Sequence, residues 1–363
     1  MPNKGNSKHN MDLQQRIYAF AKLGKFLKDF LNESASENTK SNIDTTSVNL
    51  QEIINIAKHH NGWFTEENVL FSLKSWADAL SEENLQKWVS AYDFPKLEKS
   101  KTVAVIMAGN IPLVGFHDFL SVLITGNKVL VKLSSNDTQL LPFLSKYLIS
   151  IQPEFKNLIE FTDKKLENFD AVIATGSNNT ARYFDYYFGK YPHIIRKNRN
   201  SVAVLTGNET KAQMEDLAND IFRYFGLGCR NVSKIYVPEN YNYDNFFGGM
   251  YSWKEIINNA KYINNYDYNK AVYLMSSLDL LDNEFMLLKE DEGYSSPISV
   301  VFYERYKDLK SLQKKIKSEA DNIQAIVSAS GIENEIPFGN AQKPQLWDYA
   351  DGVDTISFLL KLT

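Results

Sequence analysis

The sequence predicts an α/β fold built around a doubly wound parallel sheet. From Thr102 onwards, four short apolar runs alternate with segments of helical pattern: TVAVIMA, KVLVKL, DAVIAT and SVAVLTG. Such alternation favours parallel strands joined by right-handed crossovers, with helices covering both faces of the sheet. A length of 363 residues exceeds what one hydrophobic core normally serves, so two domains are expected.

The first hundred residues predict a helical region. MDLQQRIYAFAKLGKFLKDFLN and NLQEIINIAKHH have helical patterns, and the polar linker SASENTKSNIDTTS between them is expected to be exposed. Thr65 and Ser81 each precede two glutamates, which predicts two helix N-caps with carboxylates in the first turn. Between the strands, helices are predicted over PLVGFHDFLSVLITG, with Pro112 near its first turn, over TQLLPFLSKYLIS and over NNTARYFDYYFG.

Composition excludes several classes of protein. A formal net charge of −4, with charges of both signs interspersed, argues against a nucleic-acid partner. The amino terminus lacks the apolar core of a signal peptide, and the longest apolar stretches are too short for a membrane helix, so we expect a cytoplasmic protein without a membrane span. One cysteine rules out an internal disulfide, and the five histidines show no ligand-type pairing, so no metal site is predicted.

The single cysteine, Cys229, lies between Gly228 and Arg230 in YFGLGCRNVSKIYV. An unpaired cysteine often behaves as a small, inert, buried hydrophobe. Here Gly226 and Gly228 leave the backbone exposed on the amino-terminal side of the thiol, which would let a carbonyl substrate approach. Cys229 is therefore a candidate nucleophile, and Arg230 either lowers the pKa of its thiol or faces solvent.

Three predicted strands end in residues suited to a nucleotide. In open α/β sheets, ligands bind outside the carboxyl ends of the strands, where helix N-termini offer free N–H groups. Each of these turns is also an ordinary connection, but together they predict a dinucleotide site. The residues are Gly109 and Asn110 after the first strand, Lys132, Ser134 and Ser135 after the second, and Gly176 and Ser177 after the third.

Four segments, taken in order, resemble the signature segments of the aldehyde dehydrogenase superfamily. They are MAGNIPLVGFHDFLSVLITGNKVLVKLSSND, ATGSNNTA, FGLGC followed five residues later by Lys234, and PFGNAQKP. The tail LWDYADGVDTISFL and the early NGWFTEENV are similar to the acyl-CoA reductase branch, the family of the bioluminescence fatty-acid reductase. The resemblance implies a helical region and nucleotide-binding domain over 1–225, completed by about 336–363, and a catalytic domain over 226–335.

The resemblance also implies roles for individual residues. Cys229 matches the nucleophile, and Asn110 matches the side-chain donor of the oxyanion hole. Matches to the cofactor site are Lys132 near the adenosine ribose, Gly176 and Ser177 near the pyrophosphate, and, about one residue out of register, Glu292 at the nicotinamide ribose.

Two departures from the superfamily pattern shape the predicted activity. No Asp or Glu occurs between Asp185 and Glu209, so the carboxylate that activates water in the oxidising members is missing. Ser135 stands where a ribose-binding glutamate is expected, which favours NADPH while leaving NADH possible. These features favour NAD(P)H-dependent reduction of a fatty acyl thioester to a fatty aldehyde through a cysteinyl thioester intermediate.

Other interpretations remain open at this stage. They are an oxidising aldehyde dehydrogenase with His193 as base, an acyl-phosphate reductase, and a non-catalytic nucleotide-binding subunit of an acyl-transfer complex. The expected partners are acyl-CoA or an acyl-carrier thioester, with an acyl-donating protein as a further possibility, and the oligomeric state is left open.

Overall fold

The computed structural model describes residues 11–35, 45–95 and 99–362, in which the chain forms two compact units. The first unit comprises the chain up to Asn61, Val69–Arg196 and the residues from Val353 onwards; the second comprises Gly62–Asn68 and Lys197–Gly352. His9 and most of the predicted linker lie outside the described residues.

The first unit contains a five-stranded parallel sheet with the strand order β3-β2-β1-β4-β5. Its strands are short, and their central residues are apolar and buried, because helices cover both faces. The strands are β1 Thr102–Ile106, β2 Lys128–Lys132, β3 Ile159–Phe161, β4 Ala171–Thr175 and β5 His193–Arg196. The helices that precede or connect them are α1 Leu13–Ala35, α2 Thr45–His60, α3 Glu66–Ala79, α4 Glu82–Val89, α5 Phe116–Ile124, α6 Leu140–Ile151 and α7 Asn178–Phe188. The first turn of α3 belongs to the second unit.

The second unit contains a seven-stranded sheet with the order β12-β11-β6-β7-β10-β9-β8. Its pairs are parallel except for the antiparallel pair of β8 with β9. The strands are β6 Asn200–Val204, β7 Val232–Pro238, β8 Leu280–Asp282, β9 Leu287–Glu290, β10 Val300–Tyr306, β11 Ile323–Val327 and β12 Glu335–Ile336. The helices are α8 Lys211–Phe222, α9 Asp244–Met250, α10 Ala260–Met275 and α11 Leu309–Ser318.

The chain then returns to the first unit as α12, Thr355–Leu360. Arg196, at the end of β5, donates a 3.0 Å hydrogen bond to the Thr355 hydroxyl and forms a buried ion pair with Asp118 of α5. This contact attaches α12 to the sheet, because a buried arginine is stable only where its donors find such partners.

The predicted α/β class, with parallel sheets and a helical amino-terminal region, is confirmed. The Ser81 side chain accepts a hydrogen bond from the amide of Asn84, and the Thr65 side chain accepts one from the amide of Asn68, as N-caps do. None of the helices within the described ranges combines the length and apolar character that crossing a bilayer requires.

Two details of the sequence prediction differ from the structure. The helix after β1 begins at Phe116 and not near Pro112, because Leu113 has a φ of 58° and the preceding residues form a turn. The strand in SVAVL, β6, was expected in the first sheet but pairs with β7 and β11 of the second. The first compact unit ends at Arg196 and resumes at Val353, while the functional domain bounds given above, 1–225 with about 336–363 and 226–335, stay a prediction.

Candidate active site

The turn that carries Asn110 follows β1 and is held by two side chains of the first unit, that of Asn61 immediately after α2 and that of Ser72 in α3. The Asn61 amide donates to the carbonyl oxygen of Gly109 over 3.3 Å, and the Ser72 hydroxyl donates to that of Pro112 over 3.0 Å. Both donors are buried. A buried backbone carbonyl needs such a partner, so these contacts fix the backbone on both sides of the half-buried Asn110.

A half-buried carboxylate fixes the end of the same turn. Asp137 accepts a 3.1 Å hydrogen bond from the amide of Leu113, the residue with the left-handed backbone. Burial raises the pKa of Asp137 to about 6, although hydrogen bonds from the amides of Leu113 and Leu140 act in the opposite direction. Asn61, Ser72 and Asp137 were not found from the sequence.

The predicted nucleotide-binding residues of the first unit lie at one edge of its sheet. Ile106 at the end of β1 pairs with Lys132 of β2 on one side and with Ala174 of β4 on the other. Strand order therefore reverses at β1, and the carboxyl ends on either side of such a reversal are where α/β sheets bind ligands.

At the carboxyl end of β1, the backbone of Gly109 lies against the side chain of Ser134. A Cβ atom at Gly109 would lie 2.5 Å from the Ser134 Oγ, so only glycine fits there. Ser134 is half-buried, its neighbour Ser135 is exposed, and the Lys132 ammonium donates to the carbonyl oxygen of Lys164 over 3.1 Å.

The turn after β4 opens α7 as the sequence predicts. Ser177 is the N-cap, and its hydroxyl accepts a 3.3 Å hydrogen bond from the amide of Thr180. A Cβ at Gly176 would lie 3.0 Å from Thr180 and 3.1 Å from the Phe184 ring. A helix N-terminus with close backbone access is suited to a pyrophosphate.

Cys229 lies in the second unit, between the end of α8 and β7, and its side chain is exposed. The chain reaches it through three successive left-handed residues, Tyr224, Phe225 and Gly226, with φ values of 55°, 59° and 77°. Such a conformation costs about 1–2 kcal/mol for each residue that has a side chain. The Phe225 ring packs 5.2 Å from that of Trp63, which helps to hold this turn.

The Arg230 side chain is bonded to the backbone of the PFGNAQKP segment. It is half-buried, and its Nε donates to the carbonyl oxygen of Ala341. Burial lowers the pKa of Arg230, while its electrostatic interaction with Cys229 acts in the opposite direction. The guanidinium remains charged at neutral pH, and a cation beside a thiol favours the nucleophilic thiolate.

The PFGNAQKP segment is held by a buried carboxylate. Asp220 of α8 is fully buried and accepts hydrogen bonds from the amides of Gly339 (2.7 Å) and Ala341 (3.0 Å). Burial raises the pKa of Asp220 to about 7. The only sequence signal for Asp220 is a carboxylate on the apolar face of α8.

Lys234 of β7 is fully buried and is surrounded by aromatic and acidic groups. Its ammonium donates to Glu304 and to the backbone carbonyl of Glu292, each over 2.7 Å, and lies 4.8 Å from the centre of the Tyr294 ring. Burial lowers the pKa of Lys234, opposed by the hydrogen bond to Glu304. Glu292 is thus fixed through its backbone, while its side chain is exposed.

From the sequence, His193 is a possible base and no metal site is predicted. His193 lies exposed at the start of β5, where its Nδ1 is 2.8 Å from the carbonyl oxygen of Tyr191. Within residues 11–35, 45–95 and 99–362, no group of three or more His, Cys, Asp or Glu side chains is placed to hold a metal ion.

A family model described as acyl-CoA reductase (LuxC) matches residues 9–248, about two thirds of the chain. This chain belongs to the LuxC acyl-CoA reductase family. The resemblance proposed from the sequence is therefore confirmed, and the chain is assigned to aldehyde-related oxidoreductases. No curated protein matches it in sequence.

Solved structures show that this chain has the fold of aldehyde dehydrogenases. Aldehyde dehydrogenase 21 from Physcomitrella patens, in complex with succinate, is 15% identical and has a TM-score of 0.66, covering 97% of this chain and 84% of its own. The NAD⁺ complex of aldehyde dehydrogenase from Bacillus cereus is 12% identical with a TM-score of 0.58, covering 90% and 73%. A NAD-dependent benzaldehyde dehydrogenase from Corynebacterium glutamicum is 11% identical with a TM-score of 0.59, covering 88% and 77%.

Proposed function

We propose that this LuxC family member reduces a fatty acyl thioester to the aldehyde through an acyl-enzyme on Cys229. The observation that carries the proposal is an exposed thiol on a turn of fixed left-handed backbone, with the Arg230 charge beside it. An inert structural cysteine needs neither exposure nor a neighbouring cation. The thiol is also the only one in the chain, so no other cysteine can take its role.

The Cys229 thiolate attacks the carbonyl carbon of the acyl thioester, and the thiolate of CoA or of a carrier leaves. We assign to the Asn110 side-chain amide a hydrogen bond to the oxyanion that forms during this attack. After reduction of the acyl group, the bond between its carbon and the Cys229 sulfur breaks, the aldehyde leaves and the thiolate is restored.

NADPH supplies the hydride when it is bound. The residues at the carboxyl ends of β1, β2 and β4 fit a dinucleotide, because Gly109 leaves no room for a side chain, a Cβ at Gly176 would be crowded, and α7 begins just after Gly176. Lys132 is proposed to hold the adenosine ribose and its 2′-phosphate, and Ser134 and Ser135 lie in the loop that follows. Glu292 is proposed for the nicotinamide ribose.

Intact-mass spectrometry tests the acyl-enzyme directly. Wild-type protein mixed with a fatty acyl-CoA in the absence of NADPH should gain the mass of one acyl group, and NADPH should then release it as aldehyde. Cys229→Ala should show neither adduct nor turnover. A Cys229→Ala protein that still forms aldehyde would show that the thiol is structural.

The same samples separate the alternative functions. An adduct from acyl phosphate but not from acyl-CoA would indicate an acyl-phosphate reductase, and rapid release of free acid that requires His193 would indicate an oxidising dehydrogenase. Turnover by the purified chain alone eliminates a non-catalytic subunit. Asn110→Ala should lower kcat by about 10²–10³ with little change in cofactor affinity, as expected for the loss of one oxyanion donor.

The remaining expectations are part of the same proposal. A reactive free thiol requires a reducing compartment, so we propose that the protein acts in the cytoplasm. The acyl donor is acyl-CoA or an acyl-carrier thioester, and a protein that delivers the acyl group is compatible with the exposed thiol.

A further inference from the structure

The side chain of Asn231, two residues after Cys229, is buried and bonded only to the backbone. It is 2% exposed. Its Oδ1 accepts a 2.8 Å hydrogen bond from the amide of Gly228, the residue before Cys229. Its Nδ2 donates to three carbonyl oxygens at the end of α8, those of Asp220 (3.1 Å), Ile221 (3.2 Å) and Arg223 (2.7 Å).

These three carbonyls lie at the carboxyl end of α8, where the helix itself supplies no hydrogen-bond donor. The last carbonyls of a helix have no partner within the helix and often accept hydrogen bonds from the backbone amides of a turn that contains a left-handed glycine. Here the first left-handed residue after α8 is Tyr224, and glycine comes only at Gly226. The side-chain amide of Asn231 takes the place of a glycine cap, since its Nδ2 donates to the backbone carbonyls immediately before the strained turn.

The peptide groups around Cys229 are thereby held from both sides. The amide of Asn231 donates to the carbonyl oxygen of Gly228 over 3.0 Å, which closes a tight turn around the cysteine. The Cys229 carbonyl oxygen accepts a 3.1 Å hydrogen bond from the hydroxyl of Ser201, a fully buried residue of β6. The thiol is exposed, but the backbone that carries it is anchored in the core of the unit.

We propose that Asn231 is a positioning residue for the nucleophile: its carboxamide ties the end of α8 to the turn around Cys229 and so fixes the backbone of the thiol. This inference rests on the function proposed above. Asn231 does not touch the substrate in this proposal, and it acts through the main chain of Gly228 and Cys229. No other side chain of this size supplies one acceptor and two donors at once, because aspartate lacks the donors and leucine lacks both.

The predicted consequence is a slower acylation step with unchanged substrate affinity. A misplacement of about 1 Å at a reacting group costs on the order of 10²-fold in rate. Asn231→Ala should therefore slow single-turnover acylation of Cys229 about 10- to 100-fold, with KM for acyl-CoA and NADPH changed less than about twofold. Asn231→Asp, which keeps the acceptor but loses the donors, should be no better than alanine.

Asn127→Ala is the matched control for loss of a buried asparagine. Asn127 is fully buried, and its side chain also bonds to the backbone, accepting from the amide of Lys101, but it lies in the first unit at the amino-terminal end of β2. Its variant should lose stability in urea unfolding and keep the wild-type acylation rate per folded molecule.

The outcomes are distinguishable. Slow acylation in Asn231→Ala but not in Asn127→Ala supports the positioning role, and equal rates per folded molecule overturn it. If wild-type protein forms no adduct, the proposed function fails and the inference falls with it. Should the Asn231 variants not fold, hydrogen exchange of the wild-type protein replaces them: strong protection of the Gly228 amide supports the anchor, and exchange at the rate of an open loop overturns it.

Discussion

Asp220 should make the stability of the protein fall as pH rises from about 5 to about 7. Its carboxyl is fully buried in α8, and burial raises its pKa from 3.8 to about 7 against the opposing hydrogen bonds from Gly339 and Ala341. The nearby Asp216 charge also raises this pKa, while Lys343 lowers it. A raised folded-state pKa means that the native chain holds this proton more tightly than the unfolded chain.

The sign and size of the effect follow from linkage. The stability contributed by the protonated form is fully present below the unfolded pKa near 3.8 and is lost as pH rises through the folded pKa near 7. Each pKa unit corresponds to 1.36 kcal/mol, so the loss between pH 5 and pH 7 is about 2 kcal/mol. Above about pH 8 the contribution should become constant.

Urea unfolding of wild type and Asp220→Asn at pH 5, 6, 7 and 8 measures this contribution. The variant cannot ionise, so its stability relative to wild type should rise by about 2 kcal/mol from pH 5 to pH 7, even if the variant is less stable at every pH. Asp185→Asn, on the exposed face of α7, is the control for a general loss of charge. A constant difference between wild type and Asp220→Asn across this range would refute the reasoning.

Four further substitutions test separate parts of the two units. Gly226→Ala should lower the free energy of unfolding by about 1–2 kcal/mol, because φ is 77° at this position. Gly248→Ala in α9 should raise the free energy of unfolding by about 0.5–1 kcal/mol in the same urea assay, because an added Cβ atom would have no atom within 4 Å beyond the adjacent residues and the backbone of its own helix. Asp137→Ala should lower the free energy of unfolding by about 1–3 kcal/mol, since it leaves the buried amide of Leu113 unpaired. It should also lower kcat while changing KM less. A normal kcat would remove the Asn110 turn from the mechanism. Ser135→Glu should lower kcat/KM for NADPH relative to NADH about tenfold or more, because like charges would meet at the 2′-phosphate, and an unchanged ratio would contradict the assigned cofactor site.

Local patterns in the sequence were sufficient for the main strands, the caps and the candidate nucleophile. Short apolar runs bounded by polar residues predicted β1, β2 and β4, and the N-caps at Ser81 and Ser177 follow from side chains close in sequence. The edge strand β3, IEF, was missed because three residues with one exposed glutamate carry almost no periodic signal.

The start of α5 and the division of the chain depend on contacts that are not local. Pro112 is acceptable in a first helical turn, but the hydrogen bond from Leu113 to Asp137, 24 residues later, stabilises a left-handed turn in its place. Likewise SVAVL has the same pattern as the strands before it, and only its pairing with β7 and β11 assigns it to the second sheet. Periodicity predicts a strand without identifying its partners.

The residues that hold the candidate site were missed for the same reason. Asn61, Asp137 and Asp220 are polar side chains that bond to backbone groups 48, 24 and 119 or more residues away. From the sequence alone they resemble surface residues or caps. The available signal was a polar residue on an otherwise apolar face, because burial of such a group requires a hydrogen-bond partner.

The two segments assigned to catalysis share one local design, each within its own unit. Both contain residues with side chains in the left-handed region, Leu113 after Asn110 and Tyr224 before Cys229. In each case the backbone amide of that residue donates to a side-chain oxygen from a different element, Asp137 at 3.1 Å and Asn68 at 3.4 Å. Strain of this kind persists only where surrounding contacts over-determine it. Because a strained turn that is held rigidly can present a group in one orientation, these buried polar anchors are the part of the sequence on which the proposed chemistry depends most after the nucleophile itself.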